Sequence, residues 1–528
     1  MTRVGSRSLA RAGLIVTAAF LASRVLGWIR LVVITTIYGA EADLDAYLAA
    51  FRIPDLIFQM VAAGAVGSAL IPVLSGLMVN QEQARAWRVV STVINVILVV
   101  LLSLAVLSAI FAPAIIPLTT AGFDPVQTEL TIRLTRIMLL SPILLALGSV
   151  SSAVLNTGDR FSSSALAPIL YNGALILSAV LLSPFLGIEA IALGVVIGSL
   201  AHVAVQLPAL VRRQGFQYDF LIDLKDPAAR QALLLIIPRA IGHSAGQITF
   251  IVNTTLASGL PAGSIVAYNV AFTILQIPLG VLGVPLGVVL LPSMSRAVAQ
   301  GAMSGFGSLI VRSLRLLLFM MLFLTAVGIV LRREVVTLLF DYGRFDRDAI
   351  QLTADTLLFF MLGLAAHSLI IVLARAFYAR QDTRTPVATA LVSVAVNVVV
   401  SIATIESLQL AGLALGIAVG AWVEATLLML FLRRKYPDIG LDRVSTGLLV
   451  FTVGAVVSGL AAGLVVRGAQ LVIGTDPGKV LLFLEILLAT GAAMLVYALF
   501  SWLLRVPELR DSIRLARSAL SRRRRSAS

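Results

Sequence analysis

Apolar residues run along this chain in long stretches that polar residues interrupt only at short intervals. A bilayer core roughly 30 Å thick needs about 20 apolar residues as a helix. Fourteen stretches meet that need, near 12–38, 45–78, 88–113, 128–155, 162–186, 188–211, 231–256, 263–294, 308–331, 350–379, 386–405, 408–432, 446–466 and 480–504. The pattern predicts an all-α polytopic membrane protein with about fourteen transmembrane helices. The first stretch, from about Leu14 to Tyr38, is too long for a signal-peptide core and lacks an A-x-A cleavage site, so it reads as a retained span.

The polar connections alternate in charge. Arg3, Arg7 and Arg11 precede the first stretch, and Arg85, Arg88, Arg160, Arg212, Arg213, Lys225 and Arg230 follow the second, fourth and sixth. Arg296, Arg380, Arg384, Arg433, Arg434, Lys435 and the basic run ending at Arg525 repeat this in the second half. Basic connections mark the cytoplasmic side, so both termini are expected there. Two opposite-side connections break the rule: 332–348, where Arg344 sits among mixed charges, and 467–479, with Arg467 and Lys479.

Composition narrows the function classes. Only 12% of residues are charged and 59% are hydrophobic, against about 25% charged in soluble domains, and mean hydropathy is +1.01. The net charge of +14 is therefore read as positive-inside bias and not as a nucleic-acid footprint. The chain has no cysteine and three histidines, which excludes disulfides and leaves no structural zinc or other cofactor expected. No Walker motif, nucleophile elbow or H-E-x-x-H occurs, so the chain does not read as an enzyme.

The chain also resembles itself at an offset near 220 residues. Ala46-Tyr47 matches Ala267-Tyr268, and GSALIPVLS from Gly67 matches GVVLLPSMS from Gly287. The region from Asn156 to Asn172 matches that from Arg380 to Asn397 more loosely. A repeat of six helices enters the membrane twice from the same side, giving two parallel lobes around a central cavity. The expected organisation is an N-terminal lobe at 12–215, a C-terminal lobe at 228–436, two added helices at 445–506 and a basic tail at 507–528.

Charges inside apolar spans cost at least about 2.5–3.5 kcal/mol each at mid-bilayer and so point to function. Arg24 and Arg30 lie in the first span, Arg52 in the second and Arg239 in the seventh. Together they would make a cationic cavity suited to an anionic, phosphate-bearing substrate. The competing reading is local pairing, of Arg52 with Asp45 or Asp55, and snorkelling of Arg30. His243 and Gln247 follow Arg239 on one helical face, and Glu424 and Glu485 are intramembrane carboxylates; His243 and Glu424 are candidates for ion or proton coupling.

These residues carry a family resemblance. Ser23-Arg-Val-Leu-Gly-Trp-Ile-Arg30, Asp45-Ala-Tyr, Phe51-Arg-Ile-Pro54, Leu155-Asn-Thr-Gly-Asp-Arg-Phe161, Gly280 to Pro292 and Phe377-Tyr-Ala-Arg-Gln-Asp-Thr-Arg-Thr-Pro386 resemble the motifs of the MurJ (MviN) lipid II flippases. The resemblance implies a two-lobe, fourteen-helix fold that carries lipid-linked peptidoglycan precursor to the outer leaflet of the bacterial cytoplasmic membrane, in cell-wall biogenesis and cell shape. It implies a polyprenyl-pyrophosphate-linked sugar as substrate, membrane lipids and cell-wall synthesis proteins as partners, and no nucleic acid. Ser23, Arg24, Arg30 and Asp45 fall at positions the family needs, and Arg52 and Arg239 join them as substrate-binding candidates. The sequence departs from the family pattern at Phe58, Gln59, Ala63 and Thr273, where charged residues are usual. A flippase for another polyprenyl-linked glycan and an ion-coupled multidrug exporter are the alternative readings.

Overall fold

The computed structural model describes residues 6–61, 65–158, 160–474, 477–512 and 514, with side chains at 6–17, 61, 65, 68, 213, 237–245, 438 and 473 left out. Among the described residues the chain is helical and contains no strand. Among the described residues eleven helices are long and apolar enough to cross a bilayer, twelve when the pair Arg347–Leu362 and Leu364–Ala379, bent by 43°, is counted as one span. The other two apolar stretches are helical as well. Pro227–Ala257 is one 31-residue helix, and 45–78 is built from shorter pieces.

The chain divides into two compact units. The first comprises 1–266 with 342–346, and the second 267–341 with 347–528. The first contains α1 (Ser6–Tyr38), α2 (Ala42–Ala50), α3 (Arg52–Val61), α4 (Ala65–Val79), α5 (Gln83–Thr119), α6 (Pro125–Met138), α7 (Leu140–Thr157), α8 (Phe161–Leu186), α9 (Glu189–Ala204) and α10 (Pro227–Ala257). Helix α1 packs on α8, α8 on α9, and α10 on α3, α4 and α5.

The second apolar stretch, expected as one span, is thus broken, and Pro54 explains the break before Arg52. Proline has no amide hydrogen to give the carbonyl four residues back, which is that of Ala50. Thr135 of α6, fully buried, brings its hydroxyl to 3.3 Å from Ala50 O, sharing with the freed group the proton it also gives to Thr131 O at 2.7 Å. In a bilayer such a freed carbonyl needs a protein donor, because no water is there to supply one.

Helix α11 (Ser264–Pro278) begins at the boundary between the units. The second unit continues through α12 (Val284–Ala299), α13 (Met303–Val330), α14 (Arg332–Phe340), α15 (Arg347–Leu362), α16 (Leu364–Ala379), α17 (Arg384–Leu408), α18 (Leu410–Lys435), α19 (Asp442–Ile473) and α20 (Lys479–Leu503). Helix α17 packs on α18, α13 on α16 and α19, and α19 on α20. The bend between α15 and α16 follows the same logic as the break at Arg52. Thr325 donates to Met361 O at 3.2 Å and Trp422 Nε1 to Leu362 O at 2.8 Å, so the carbonyls released at the bend are occupied.

The internal repeat is written in the backbone as well as in the side chains. Turns with positive φ recur at matching offsets: Gly39 and Gly263, Gln81 and Gly301, Gly187 and Gln409, Gly215 and Gly440. Gly187 and Gln409 share nearly one conformation, φ 56° and ψ −137° against φ 49° and ψ −127°. Gly194 and Gly198 on α9 correspond to Gly416 and Gly420 on α18. A Cβ at Gly198 would lie 2.8 Å from Tyr171 O, and one at Gly420 2.8 Å from Ser393 O. Both pairs are small-xxx-small seams that let helix backbones meet closely, as membrane packing favours.

Candidate functional site

Helix α1 carries Ser23, Arg24 and Arg30. Ser23 is half-buried and Arg24 is exposed, its guanidinium 5.2 Å from the Phe20 ring centroid one turn earlier. Arg30 lies over the ring of Tyr171 on α8 at 5.9 Å, in place of the snorkelling considered above. Its charge is felt by both Tyr47 and Tyr171. Gly27, between the two arginines, would place a Cβ 3.9 Å from Asn172 Oδ1, so α1 and α8 are in ordinary contact here.

Arg52 opens α3 and reaches α10. Its Nε donates to Thr254 Oγ1 at 3.1 Å and its guanidinium lies 5.1 Å from the Phe250 ring centroid. Asp55, one turn on, accepts from Gln59 Nε2 at 3.4 Å and from the Gln247 side chain, and interacts electrostatically with Arg52 and Tyr171. Four helices, α1, α3, α8 and α10, therefore gather Arg30, Arg52, Asp55, Tyr171 and Gln247. The group holds two guanidiniums and one carboxylate, with Arg52 acting on Asp55 and Arg30 on Tyr171. Of the two local partners weighed for Arg52, Asp55 is near it.

Asp45 is used elsewhere. It is buried, and its two oxygens accept from the amides of Gly263 at 2.6 Å and Val266 at 2.8 Å. That arrangement satisfies amides at the start of α11 that have no partner within the helix. Arg239 and His243 lie on α10, and their side chains fall outside the described residues.

The second unit has a smaller polar group. Glu424 on α18 is hydrogen-bonded by Ser393 of α17 and interacts electrostatically with Tyr378 of α16. Arg375, which the sequence reading passed over, belongs with them: it interacts with Tyr378, and a Cβ added at Gly287 would lie 2.7 Å from its Cζ. The signal was present in its position, a guanidinium inside the apolar tenth stretch, in the same register as Tyr378 and one turn before Ala379. Among the described residues it has no ion pair.

Other motif residues hold the backbone. Asp382 accepts from the Thr385 amide at 3.0 Å and hydroxyl at 2.7 Å and pairs with Lys435 at 2.5 Å. Two of the basic residues that break the charge alternation are also paired, Arg344 with Glu41 at 2.6 Å and Lys479 with Asp341 at 2.7 Å. Arg133 pairs with Glu189 at 2.8 Å.

A family model described as "Lipid II flippase MurJ" matches residues 34–481. The lipid II flippase MurJ of Burkholderia cenocepacia is 32% identical over 469 residues, covering 87% of this chain and 89% of the relative. A probable lipid II flippase MurJ of Rhizobium meliloti is 33% identical over 421 residues, 78% of each. A solved lipid II flippase MurJ in an inward closed conformation superposes with a TM-score of 0.78 at 22% identity, over 95% of this chain and 100% of that one. An inward-facing multidrug resistance MATE transporter of the MOP superfamily superposes at 0.65 and 15% identity, over 78% and 95%. The fold is thus shared with both kinds of transporter, while the sequence match decides between them: this multi-pass membrane protein belongs to the MurJ lipid II flippase family.

Proposed function

We propose that this chain moves lipid II across the bacterial cytoplasmic membrane by alternating access, with both termini in the cytoplasm. The observation that carries the reading is the family match over residues 34–481. The cluster of Arg30 and Arg52, with Arg24 exposed on the same helix as Arg30, agrees with it. Guanidinium groups bind pyrophosphate oxygens through paired N–H donors, and do so best where water is excluded. In this reading the lobes 12–215 and 228–436 rock around the headgroup, and the helices of 445–506 accompany the polyprenyl tail. Ser23, Arg24, Arg30, Arg52 and Arg239 bind the substrate, and His243 or Glu424 couples an ion or proton. Asp45 supports the site by fixing the start of α11. Proteins of cell-wall synthesis would supply the substrate and consume it.

A second reading, a flippase for another polyprenyl-linked glycan, draws on the uncharged positions. Gln59 donates to Asp55, and Thr273 turns its hydroxyl back to Asn269 O at 2.8 Å. Neither supplies the charge usual in the family. Leaflet-resolved detection of lipid II in cells depleted of this protein separates the two. Accumulation in the inner leaflet supports the first reading, and an unchanged distribution supports the second.

A further inference from the structure

Between α9 and α10 the chain crosses the outside of α5 as an extended strap. Its backbone is held by side chains of α5. Asn95 Nδ2 donates to Asp219 O at 3.2 Å and Leu221 O at 2.9 Å, while Ser91 accepts the Asp219 amide at 3.0 Å and Thr92 the Asp223 amide at 3.2 Å. Tyr218 donates to Asn95 Oδ1 at 2.5 Å, and Phe216 packs edge-on against Trp87 with centroids 5.5 Å apart. The backbone of Asp219, Leu221 and Asp223 thus finds its partners in side chains of α5 without a sheet partner. Its outer side carries exposed apolar side chains, Phe220 at 94%, Leu224 at 56% and Ile222 at 48%, beside the exposed Gln217 and Asp219.

Helical register shows where this surface lies. Asn95, Val99, Leu102 and Val106 follow one another at i, i+4, i+7 and i+11, and Thr92 stands seven residues before Val99, so the strap covers the same face of α5 that carries the exposed apolar side chains. That exposed band runs from Val99 to Leu118, about 29 Å at 1.5 Å per residue, which matches the hydrocarbon core. Asn95 and Thr92 lie roughly 6 and 10 Å beyond its edge, in the depth range of lipid headgroups. Arg88, exposed, is one further turn out on the same face. A recess beside the strap is lined by Leu224, Lys225, Arg230 and Leu234.

We infer that the strap of residues 216–224 is a membrane-interface anchor: Phe220, Ile222 and Leu224 enter the headgroup–acyl boundary of the adjacent leaflet, and Arg88, Lys225 and Arg230 meet anionic headgroups. The occupant is lipid because the strap continues a lipid-facing surface at headgroup depth, and because apolar side chains beside basic ones suit that boundary. Tied to α5 and to the leaflet, the connection into α10 keeps a fixed depth and acts as a tether.

The chain has no cysteine, so spin labels can be placed singly on the full-length protein. Labels at Phe220→Cys and Gln217→Cys are compared in phosphatidylglycerol-containing proteoliposomes by their accessibility to oxygen and to a nickel chelate. The expected result is an oxygen-to-nickel ratio several-fold higher at 220 than at 217. Equal ratios overturn the proposal in favour of an aqueous strap. Shielding of 220 from both reagents overturns it in favour of a protein contact. Adding Asn95→Ala to the Phe220→Cys background should raise nickel access at 220; no change would show that α5 does not set the depth.

Discussion

Asp45 and Gly263, 218 positions apart, are joined by a 2.6 Å hydrogen bond from the Gly263 amide to a buried carboxylate oxygen. The second oxygen takes the Val266 amide at 2.8 Å. Asp45→Asn keeps one acceptor and turns an NH2 group toward an N–H donor. An unmet buried polar group costs about 1–3 kcal/mol. The expected outcome is a clearly lower thermal midpoint in detergent and reduced membrane abundance. An unchanged midpoint with lost flippase function would instead assign Asp45 to the substrate.

Gly263 meets the same carboxylate with φ at +89°, and a Cβ there would lie 2.2 Å from Ala40 O. Gly263→Ala combines left-handed strain with a clash against backbone that cannot move aside. Its thermal midpoint should fall at least as far as that of Asp45→Asn, and the double mutant should be less than additive because both disturb one contact.

Thr135→Val tests the repair of the break at Arg52. The substitution keeps shape and removes the hydroxyl that Ala50 O shares with Thr131 O. A loss of roughly 1–3 kcal/mol is expected, read as a lower midpoint. Pro54→Ala in the same background should recover part of it, since an amide returns four residues after Ala50.

The Asp382 clamp gives a pH dependence with a definite sign. Partial burial works against ionisation, but the hydrogen bonds from Lys435 and Thr385 outweigh it and hold the carboxyl at about 2. Its unfolded value is about 3.9. The clamp therefore stabilises fully above about pH 4 and is lost as pH falls through about 2. Asp382→Asn should lower the midpoint at pH 7 and flatten its fall over that acid range relative to the native protein.

Arg375 offers a separation of stability from activity. Arg375→Met removes an intramembrane charge that has no ion pair among the described residues, so the midpoint should hold or rise. If the guanidinium serves substrate passage, complementation of a flippase-depleted strain should fail at normal membrane levels. Full growth would reduce Arg375 to a packing residue against Gly287.

Much of the helical order was legible because a bilayer demands long apolar runs, and those runs are local. The broken second stretch was less so: Pro54 is visible, but that Thr135 would fill the carbonyl it frees depends on α6 packing beside it. The bend at Gly363 likewise needs Thr325 and Trp422 from other helices. Arginines stood out by their cost in an apolar span, but the rings they lie over, Tyr171 for Arg30 and Phe250 for Arg52, come from distant helices. The amide partners of Asp45 were not legible from its motif because they lie some 220 residues away. Ser91, Thr92 and Asn95 gave no warning either. In sequence they are ordinary polar residues near a helix end, and only the fold lays the strap over them.

The first unit contains residues 342–346, where the Arg344 amide bonds Thr36 O at 2.9 Å. The rest of that unit ends at Val266. During synthesis at about 5–20 residues per second, those last five residues emerge roughly 4–15 s after the main body. The end of α1 must wait through the synthesis of α11 to α14 before its final contact exists. Maturation of this protein is therefore not a march from first helix to last: the earliest segment made is among the last to be completed.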